Sequence, residues 1–139
     1  MQNSDIILIT NGIMMCANMT DSGIEAIGSI AIQVEESDDA PITLDAPGIE
    51  GYIIGRSDIS ISYMPDIDLA PFEAQNRGIS RRHAALVRRK GQVYVVDLGS
   101  MNGTFVNNKR LSPQSAHVLA DGDRLSLANL HMVITQVRS

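Results

Sequence analysis

Short apolar segments separated by turn-forming residues dominate the chain from Ile27 onward. In Ser29–Val34, every second residue is a branched aliphatic one, which is the two-residue period of a β-strand with one buried face. Such segments are interrupted by Lys90-Gly91, Asn107-Asn108 and Asp121-Gly122-Asp123, residues that favour tight turns or tolerate a positive φ. No window after Ile27 has the 3.6-residue period of a helix. The pattern therefore predicts an all-β domain.

We expect a two-sheet β-sandwich of about 10–11 short strands, because short strands with closely spaced turn signals are typical of sandwiches and barrels. Aromatic residues make up only 4% of the chain, so Ile, Val and Leu must form the core. The predicted strand segments are Ser29–Val34, Ile42–Leu44, Tyr52–Ile54, Ile67–Leu69, His83–Arg89, Gln92–Asp97, Thr104–Val106, Val118–Leu119, Arg124–Leu127 and His131–Val137. The long stretch Ser57–Gly78 has little apolar content, and we expect it to be a functional loop.

A chain of 139 residues is the size of one domain and can bury a core without a metal or a disulfide. We assign residues 27–139 to the β-sandwich and residues 1–26 to a loosely structured N-terminal segment. That segment does not resemble a secretory signal, because Asp5 stands where such a signal needs a basic residue. No apolar run is long enough to cross a bilayer. The single cysteine, Cys16, excludes an internal disulfide and fits a cytoplasmic protein.

Charge is distributed unevenly along the chain. Met1–Gly55 has nine acidic residues and no Lys or Arg, whereas Arg56–Ser139 has eleven basic and seven acidic residues. The first part therefore carries −9 and the second +4, within a net charge of −5. This asymmetry is typical of an acidic segment attached to a domain that binds anions. The net acidity does not suit a nucleic-acid-binding protein, which needs a broad basic face.

Three short motifs stand at the ends of predicted strands: Gly55-Arg56, Ser80-Arg81-Arg82-His83 and the run Asp97–Thr104. The guanidinium groups of Arg56 and Arg81 suit a phosphate dianion, which accepts paired N–H bonds. The serine of the second motif offers a hydroxyl donor, and the asparagine of the third can pair with a peptide backbone. Together these groups indicate an anion-binding site made of loops.

The ordered set Gly-Arg, then Ser-x-x-His, then Asn-Gly-Thr resembles that of the forkhead-associated (FHA) domain family. The runs Gly78–Ala84, Asp97–Val106 and Asp66–Leu69 are similar to the family's pattern, and the resemblance covers Ile49–Val137. It implies a two-sheet sandwich that presents loops at one end and binds phosphothreonine peptides. It also implies a binding module and not an enzyme.

The resemblance assigns ligand contacts to five residues. Arg56, Ser80 and Arg81 match positions that bind the phosphate, and Asn102 matches the position that holds the peptide backbone. Met101 matches a position that can contact phosphate through Thr, Ser or Arg in this family, but methionine has no donor. We therefore expect Met101 to be a possible peptide contact that weakens phosphate binding.

The resemblance also implies residues that shape the site without touching the ligand. His83 matches the position that supports the loops. Gly55, Gly103 and Thr104 match positions that set the backbone shape around them. Arg82, next to the site, is expected to face solvent because successive residues point to opposite sides.

The expected function is that of a phosphothreonine-dependent adaptor, whose partner is a protein phosphorylated by a Ser/Thr kinase. The loop pattern is similar to that of bacterial members of the family. The alternative is a structural interaction module that keeps the fold but binds protein independently of phosphate, and Met101 keeps this alternative open. Neither nucleic acid nor membrane is an expected partner.

Ser80, His83 and Asp97 are also the residue types of a hydrolase triad. The chain has no Gly-x-Ser-x-Gly run, and an all-β fold has no strand-to-helix turn on which to build one. We therefore expect a supporting role for His83, with hydrogen bonds to a loop.

Asp58, Asp66 and Asp68 do not have the spacing of an EF-hand, and His117 and His131 have no partner at ligand spacing. We expect neither a metal nor another cofactor.

A further hypothesis concerns Thr10, Thr20 and Thr43, which lie in the acidic part of the chain. Thr10 is followed three residues later by Ile13, an apolar residue at a position that this family often reads. A phosphorylated N-terminal threonine could bind the module's own pocket or that of a neighbouring copy.

Overall fold

The computed structural model of the chain describes residues 27–48 and 50–138, which form eleven strands and two short 310 helices. The two-residue period produces these strands, since Ile30, Ile32 and Val34 are buried and the residues between them are partly exposed. The strands are β1 (Ile27–Val34), β2 (Ile42–Asp45), β3 (Tyr52–Gly55), β4 (Ile67–Asp68), β5 (Ala84–Arg89), β6 (Gln92–Asp97), β7 (Thr104–Val106), β8 (Lys109–Arg110), β9 (Ala116–Leu119), β10 (Asp123–Leu127) and β11 (Leu130–Arg138). The 310 helices are η1 (Ile59–Ile61) and η2 (Ala70–Phe72).

The strands form two sheets, with the orders β2-β1-β11-β10-β7-β8 and β4-β3-β5-β6-β9. Neighbouring strands are antiparallel except β3 and β4, which are parallel. In the longest pairing, β1 lies beside β11, and Ile27 is opposite Arg138. The first and last strands therefore lie side by side within the six-stranded sheet.

The two sheets pack face to face around aliphatic side chains. Ile32 of the six-stranded sheet and Ile54 and Leu86 of the five-stranded sheet are all 0% exposed and belong to one buried cluster. Tyr52 and Phe72 pack against this cluster and are only partly buried. Burial of each Leu or Ile side chain stabilises the fold by about 1.5–3 kcal/mol, so the core can form without large aromatic residues.

The predicted all-β, two-sheet sandwich is confirmed. The sequence pattern does not predict β8, because Lys109 and Arg110 are both exposed and show no apolar alternation. The stretch Ser57–Gly78 is more ordered than the predicted loop, since it contains η1, β4 and η2.

Several sequence predictions fall on residues 1–26, outside the described residues, so the proposed domain boundary stays a prediction. Cys16, Thr10 and Thr20 lie in that segment. Thr43 lies in β2, where it is exposed and pairs with Ala31. In the described ranges 27–48 and 50–138, no helix has the length and apolar character needed to span a membrane.

Candidate functional site

The three sequence motifs meet at one end of the five-stranded sheet. β3, β5 and β6 are neighbours, and their register places the end of β3 beside the start of β5 and the end of β6. The N–H of His83 donates to the carbonyl of Ile54 at 3.1 Å, and the N–H of Leu98 donates to the carbonyl of His83 at 3.0 Å. Strand pairing therefore brings together loops that are far apart in the chain.

Arg56 is half-buried directly after β3. Its Nε donates to the carbonyl oxygen of Ile79 at 2.7 Å, which fixes the plane of the guanidinium. A guanidinium has further N–H donors at its two terminal nitrogens, and these suit an anion. The preceding Gly55 has no room for a side chain, because a Cβ there would overlap the carbonyl oxygen of Arg81. Glycine thus lets the first two motifs pack backbone to backbone.

Ser80 connects the second motif to the third. Its Oγ accepts a hydrogen bond from the N–H of Met101 at 3.2 Å. Because the oxygen is the acceptor in this bond, the hydroxyl hydrogen can point to an anion. The backbone N–H of Ser80 donates to Nδ1 of His83 at 3.0 Å.

His83 is a buried neutral link between loops. Its ring is 0% exposed, and Nε2 lies 2.8 Å from the carbonyl oxygen of Gly103. A carbonyl only accepts and the N–H of Ser80 only donates, so Nε2 carries the hydrogen and Nδ1 is the acceptor. Burial lowers the pKa of His83, which agrees with the neutral form.

The hydrolase arrangement is not formed by these residues. Both ring nitrogens of His83 are bonded to backbone groups, and the hydroxyl of Ser80 is bonded to Met101. Asp97 is bonded to residues of its own loop and of β7.

Asp97 is the centre of the third motif, at the end of β6. It is 2% exposed and accepts hydrogen bonds from the hydroxyls of Ser100 and Thr104 and from the N–H groups of Gly99 and Ser100. Burial opposes its ionisation, but these hydrogen bonds hold the pKa of Asp97 below its ordinary value. Ser100 Oγ in turn accepts from the N–H of Gly103 at 3.1 Å. The loop is therefore pre-shaped by a buried carboxylate.

Sequence reasoning did not identify this role of Asp97 and Ser100. The signal was present in the sequence, because an Asp followed two and three residues later by Gly and Ser is typical of a side chain that caps its own turn.

Asn102 and Met101 are exposed at the tip of the same loop. Asn102 Nδ2 donates to the carbonyl of Gly78 at 2.9 Å, so its Oδ1 can accept from a ligand's backbone. Gly78 has a φ of 81°, and a Cβ there would lie 2.6 Å from Asn102 Nδ2. The side chain of Met101 is 84% exposed.

Arg81 forms an ion pair with Asp58, which the sequence suggested only as a possible metal ligand. Its Nη1 lies 3.3 Å from Oδ2 of Asp58, and the two side chains are 49% and 22% exposed. Asp58 also caps η1 by accepting from the N–H of Ser60. Asp66 and Asp68 accept from backbone N–H groups, so the three aspartates have structural partners.

A shallow cleft of about 220 Å³ adjoins Arg56 on the side of η2. It is lined by Arg56, Ser57, Ala70, Glu73, Ala74, Gln75 and Asn76. In the part of the chain that the structure describes, no group of three or more His, Cys, Asp or Glu side chains is placed to hold a metal ion.

Comparison with known proteins assigns the chain to a family. The family model described as "FHA domain" matches residues 52–128. The protein FraH of Nostoc sp. is 41% identical over 69 residues, which cover 50% of this chain and 24% of FraH. The oxoglutarate dehydrogenase inhibitor of Corynebacterium diphtheriae is 40% identical over 58 residues, 42% of this chain and 38% of that protein. The chain thus matches less than half the length of these two relatives.

Solved structures show the same fold. A domain studied for phosphothreonine-dependent FHA domain interactions is 27% identical, with a TM-score of 0.58 over 77% of this chain and 95% of that one. The FhaA FHA domain complexed with the intracellular domain of Rv3910 is 27% identical, with a TM-score of 0.57 over 76% of this chain and 98% of that one. The chain therefore belongs to the forkhead-associated (FHA) domain family.

Proposed function

We propose that this domain binds phosphothreonine-containing segments of other proteins and that Arg56, Ser80 and Arg81 contact the phosphate. The observation that carries the proposal is that Arg56 is bonded to Ile79, directly before Ser80 and Arg81, so that two guanidinium groups and one hydroxyl belong to adjoining loops that strand pairing holds together. A phosphate has about 1.5–2 negative charges near neutral pH and three acceptor oxygens, which match these donors. An unmodified threonine offers neither, and we expect it to bind poorly.

The loop tip supports a second contact, to the peptide backbone. Asn102 is held by Gly78 through its amide nitrogen, so its oxygen is oriented to accept a backbone N–H. Met101 gives no side-chain hydrogen bond to phosphate, but its backbone N–H already positions the hydroxyl of Ser80. We propose that Met101 contributes an apolar contact to the ligand.

The apolar side chains around the site favour ligands with apolar residues near the phosphothreonine. Ile59, Ile61 and Met64 are 96%, 57% and 70% exposed in the loop that contains η1, and Met101 is 84% exposed on the loop after β6. Solvent-exposed apolar groups that flank a polar site are typical of binding surfaces. We therefore expect selection for aliphatic residues beside the phosphothreonine.

The proposed biological role is that of a non-enzymatic signalling adaptor in the bacterial cytoplasm. Relatives named as an oxoglutarate dehydrogenase inhibitor and as a glycogen accumulation regulator are bacterial and have regulatory names. We propose that the partner of this chain is likewise a protein phosphorylated on threonine by a Ser/Thr kinase.

A degenerate phosphothreonine peptide library, with matched phosphoserine and unmodified libraries, tests the proposal. We expect selective binding of phosphothreonine and at least a hundredfold loss, about 2.7 kcal/mol, in Arg56→Ala. Arg89→Ala, which removes a guanidinium from the opposite end of β5, is the matched control and should bind normally. Binding that survives Arg56→Ala and does not need phosphate would favour the phosphate-independent interaction module instead.

Self-association through a phosphorylated N-terminal threonine is a separate proposal, supported by the acidic character of Met1–Gly55. Thr10 and Thr20 are its candidates, because Thr43 is held in the ladder between β1 and β2. Mass spectrometry of protein isolated from cells should find phosphate on Thr10 or Thr20. Its absence from both would contradict this proposal without affecting the binding site.

A further inference from the structure

Asp58 lies among the cationic groups of the candidate site. Its Oδ2 is 3.3 Å from Arg81 Nη1. Its Oδ1 accepts the N–H of Ser60 at 3.0 Å and the hydroxyl of Ser60 at 2.6 Å. The carboxylate is thus held by its own loop on one side and faces Arg81 on the other.

The position of this carboxylate is built into the backbone. Asp58 and Tyr63 exchange two hydrogen bonds of 3.0 Å, which close the loop around η1. The pKa of Asp58 lies below its ordinary value, first because Ser60 donates to it and also because Arg81 and Arg56 are nearby. A fixed negative charge therefore stands beside Arg81 at neutral pH, near enough to Arg56 to interact with its charge.

We propose that Asp58 occupies an N–H donor of Arg81 that the ligand's phosphate would otherwise use, so that the phosphate must displace a built-in competitor. This inference rests on the proposed phosphothreonine-binding function. The three side chains Arg56, Arg81 and Asp58 together carry a charge of +1. A phosphate dianion attracts Arg81 more strongly than one carboxylate does, whereas a glutamate on a ligand has the same charge as Asp58 and lacks its fixed position.

Asp58 is therefore an affinity-limiting residue of the site. It weakens the attraction of Arg81 for every anionic ligand, and a single carboxylate, which has less charge than a phosphate, competes with Asp58 less well. Asp58 lowers the affinity for phosphate in two ways, because it repels the incoming dianion and occupies an N–H donor of Arg81.

The test is Asp58→Asn, which removes the charge and keeps an oxygen that can accept from Ser60. The probes are the phosphothreonine peptide selected in the library screen, the same peptide with Glu in place of phosphothreonine, and free phosphothreonine. Binding to the wild type and the variant is measured by calorimetric titration in low and high salt. Asp45→Asn is the matched control, because it changes the net charge equally and lies in β2 beside the start of β3, away from Gly55.

We expect Asp58→Asn to bind the phosphothreonine peptide and free phosphothreonine about three- to tenfold more tightly than the wild type, a gain of Coulomb origin. The gain should shrink in high salt, because salt screens charges near the surface. The Glu peptide should also bind Asp58→Asn better than the wild type. Asp45→Asn should match the wild type with all three probes.

Unchanged or weaker phosphothreonine binding in Asp58→Asn, with an unchanged melting temperature, would overturn the inference. Weaker binding would mean that Asp58 positions Arg81 for the ligand instead of competing for it. The proposed function fails in a different way, since neither the wild type nor Asp58→Asn would then bind phosphothreonine more tightly than Arg56→Ala. Binding of free phosphothreonine by Asp58→Asn, with none by the wild type, would support the inference most strongly.

Discussion

Two buried polar residues, His83 and Asp97, hold the loops of the site in place. His83 bridges the N–H of Ser80 and the carbonyl of Gly103, and Asp97 gathers four donors around the loop after β6. A buried polar group that loses its partner costs about 1–3 kcal/mol, so each bridge also specifies one loop conformation. The exposed residues of the candidate site depend on these buried residues for their positions.

The neutral state of His83 makes stability depend on pH. Burial lowers the folded-state pKa of His83 below its ordinary value of 6.5. Below pH 6.5 the unfolded chain takes up a proton at His83 more readily than the folded domain, so stability decreases as pH falls. The pKa of Asp97 is also lowered, but the stability that this carboxylate gives the folded domain is lost only as pH falls below its ordinary pKa of 3.8.

We therefore expect the melting temperature to fall between pH 7 and about pH 5, a range in which His83 titrates when unfolded. Differential scanning calorimetry measures it. His83→Gln should be less stable at pH 7, because ordering the flexible Gln side chain costs about 1.5–2 kcal/mol, and should lose part of this pH dependence. An equal pH dependence in wild type and variant would contradict the assignment of His83 as the titrating group.

At the scale of elements, the turn of the β5–β6 hairpin places a lysine, Lys90, in a left-handed backbone conformation. Lys90 and Gly91 have φ values of 52° and 75°, a left-handed pair typical of tight hairpins. Glycine tolerates this conformation, but lysine is strained in it, whereas asparagine is not.

Lys90→Asn should therefore raise the free energy of unfolding by about 0.5–1 kcal/mol, as measured by urea denaturation. Lys90→Ala is the control, because alanine removes the same charge and keeps the strain. A gain of the same size in Lys90→Ala would mean that the lysine charge, and not backbone strain, limits the hairpin. Neither variant should alter phosphopeptide binding, since the hairpin lies at the end of β5 away from Ser80.

The strands could be predicted from sequence where burial follows a two-residue period, as in β1 and β6. The pattern fails for β8, because two exposed basic residues can pair by backbone hydrogen bonds alone. It also fails to fix the strand ends, since β9 begins at the exposed Ala116, before the apolar signal of Val118.

The site could be predicted only in part, for a related reason. Arg56, Ser80 and Asn102 stand in motifs with a fixed order along the chain, and motif order is visible in sequence. The pairing of Asp58 with Arg81 joins residues 23 positions apart across two loops, and no local pattern signals it. Contacts of this kind depend on how the loops fold over the sheet.

At the scale of the whole molecule, the two sheets contribute unequally to the candidate site. The loops that carry Arg56 and Ser80 are attached to β3 and β5 of the five-stranded sheet, and the loop that carries Asn102 crosses from β6 of that sheet to β7 of the six-stranded sheet. The six-stranded sheet supplies the other half of the core and contains the first and last strands. β1 begins at the end of the sandwich opposite the site. Ser29 near its start pairs with Asp45, and the carbonyl of Asp45 accepts from the hydroxyl of Tyr52 at the start of β3, the end of that strand away from Gly55.

A circular permutant tests whether residues 27–138 form a complete folding unit whose ends lie away from the candidate site. Ile27 and Arg138 are strand partners, which lie roughly 5 Å apart, so a linker of about six Gly and Ser residues can join them. With new termini at Lys90 and Gly91, residues 27–138 should unfold cooperatively and bind the selected phosphothreonine peptide as the wild type does. The linear chain 27–138 is the control: if it does not fold, residues 1–26 are needed and the proposed domain boundary is contradicted, whereas failure of the permutant alone would show that the β5–β6 connection must stay intact.

The adjacency of β1 and β11 also determines how such a domain can be carried by other proteins. A polypeptide that contained it would enter and leave the sandwich at almost the same point in space. The domain could therefore be inserted into a surface loop of a host protein without forcing the two sides of that loop apart. The loops of the candidate site would face away from the host, so the geometry of attachment leaves that end of the domain open to a third molecule.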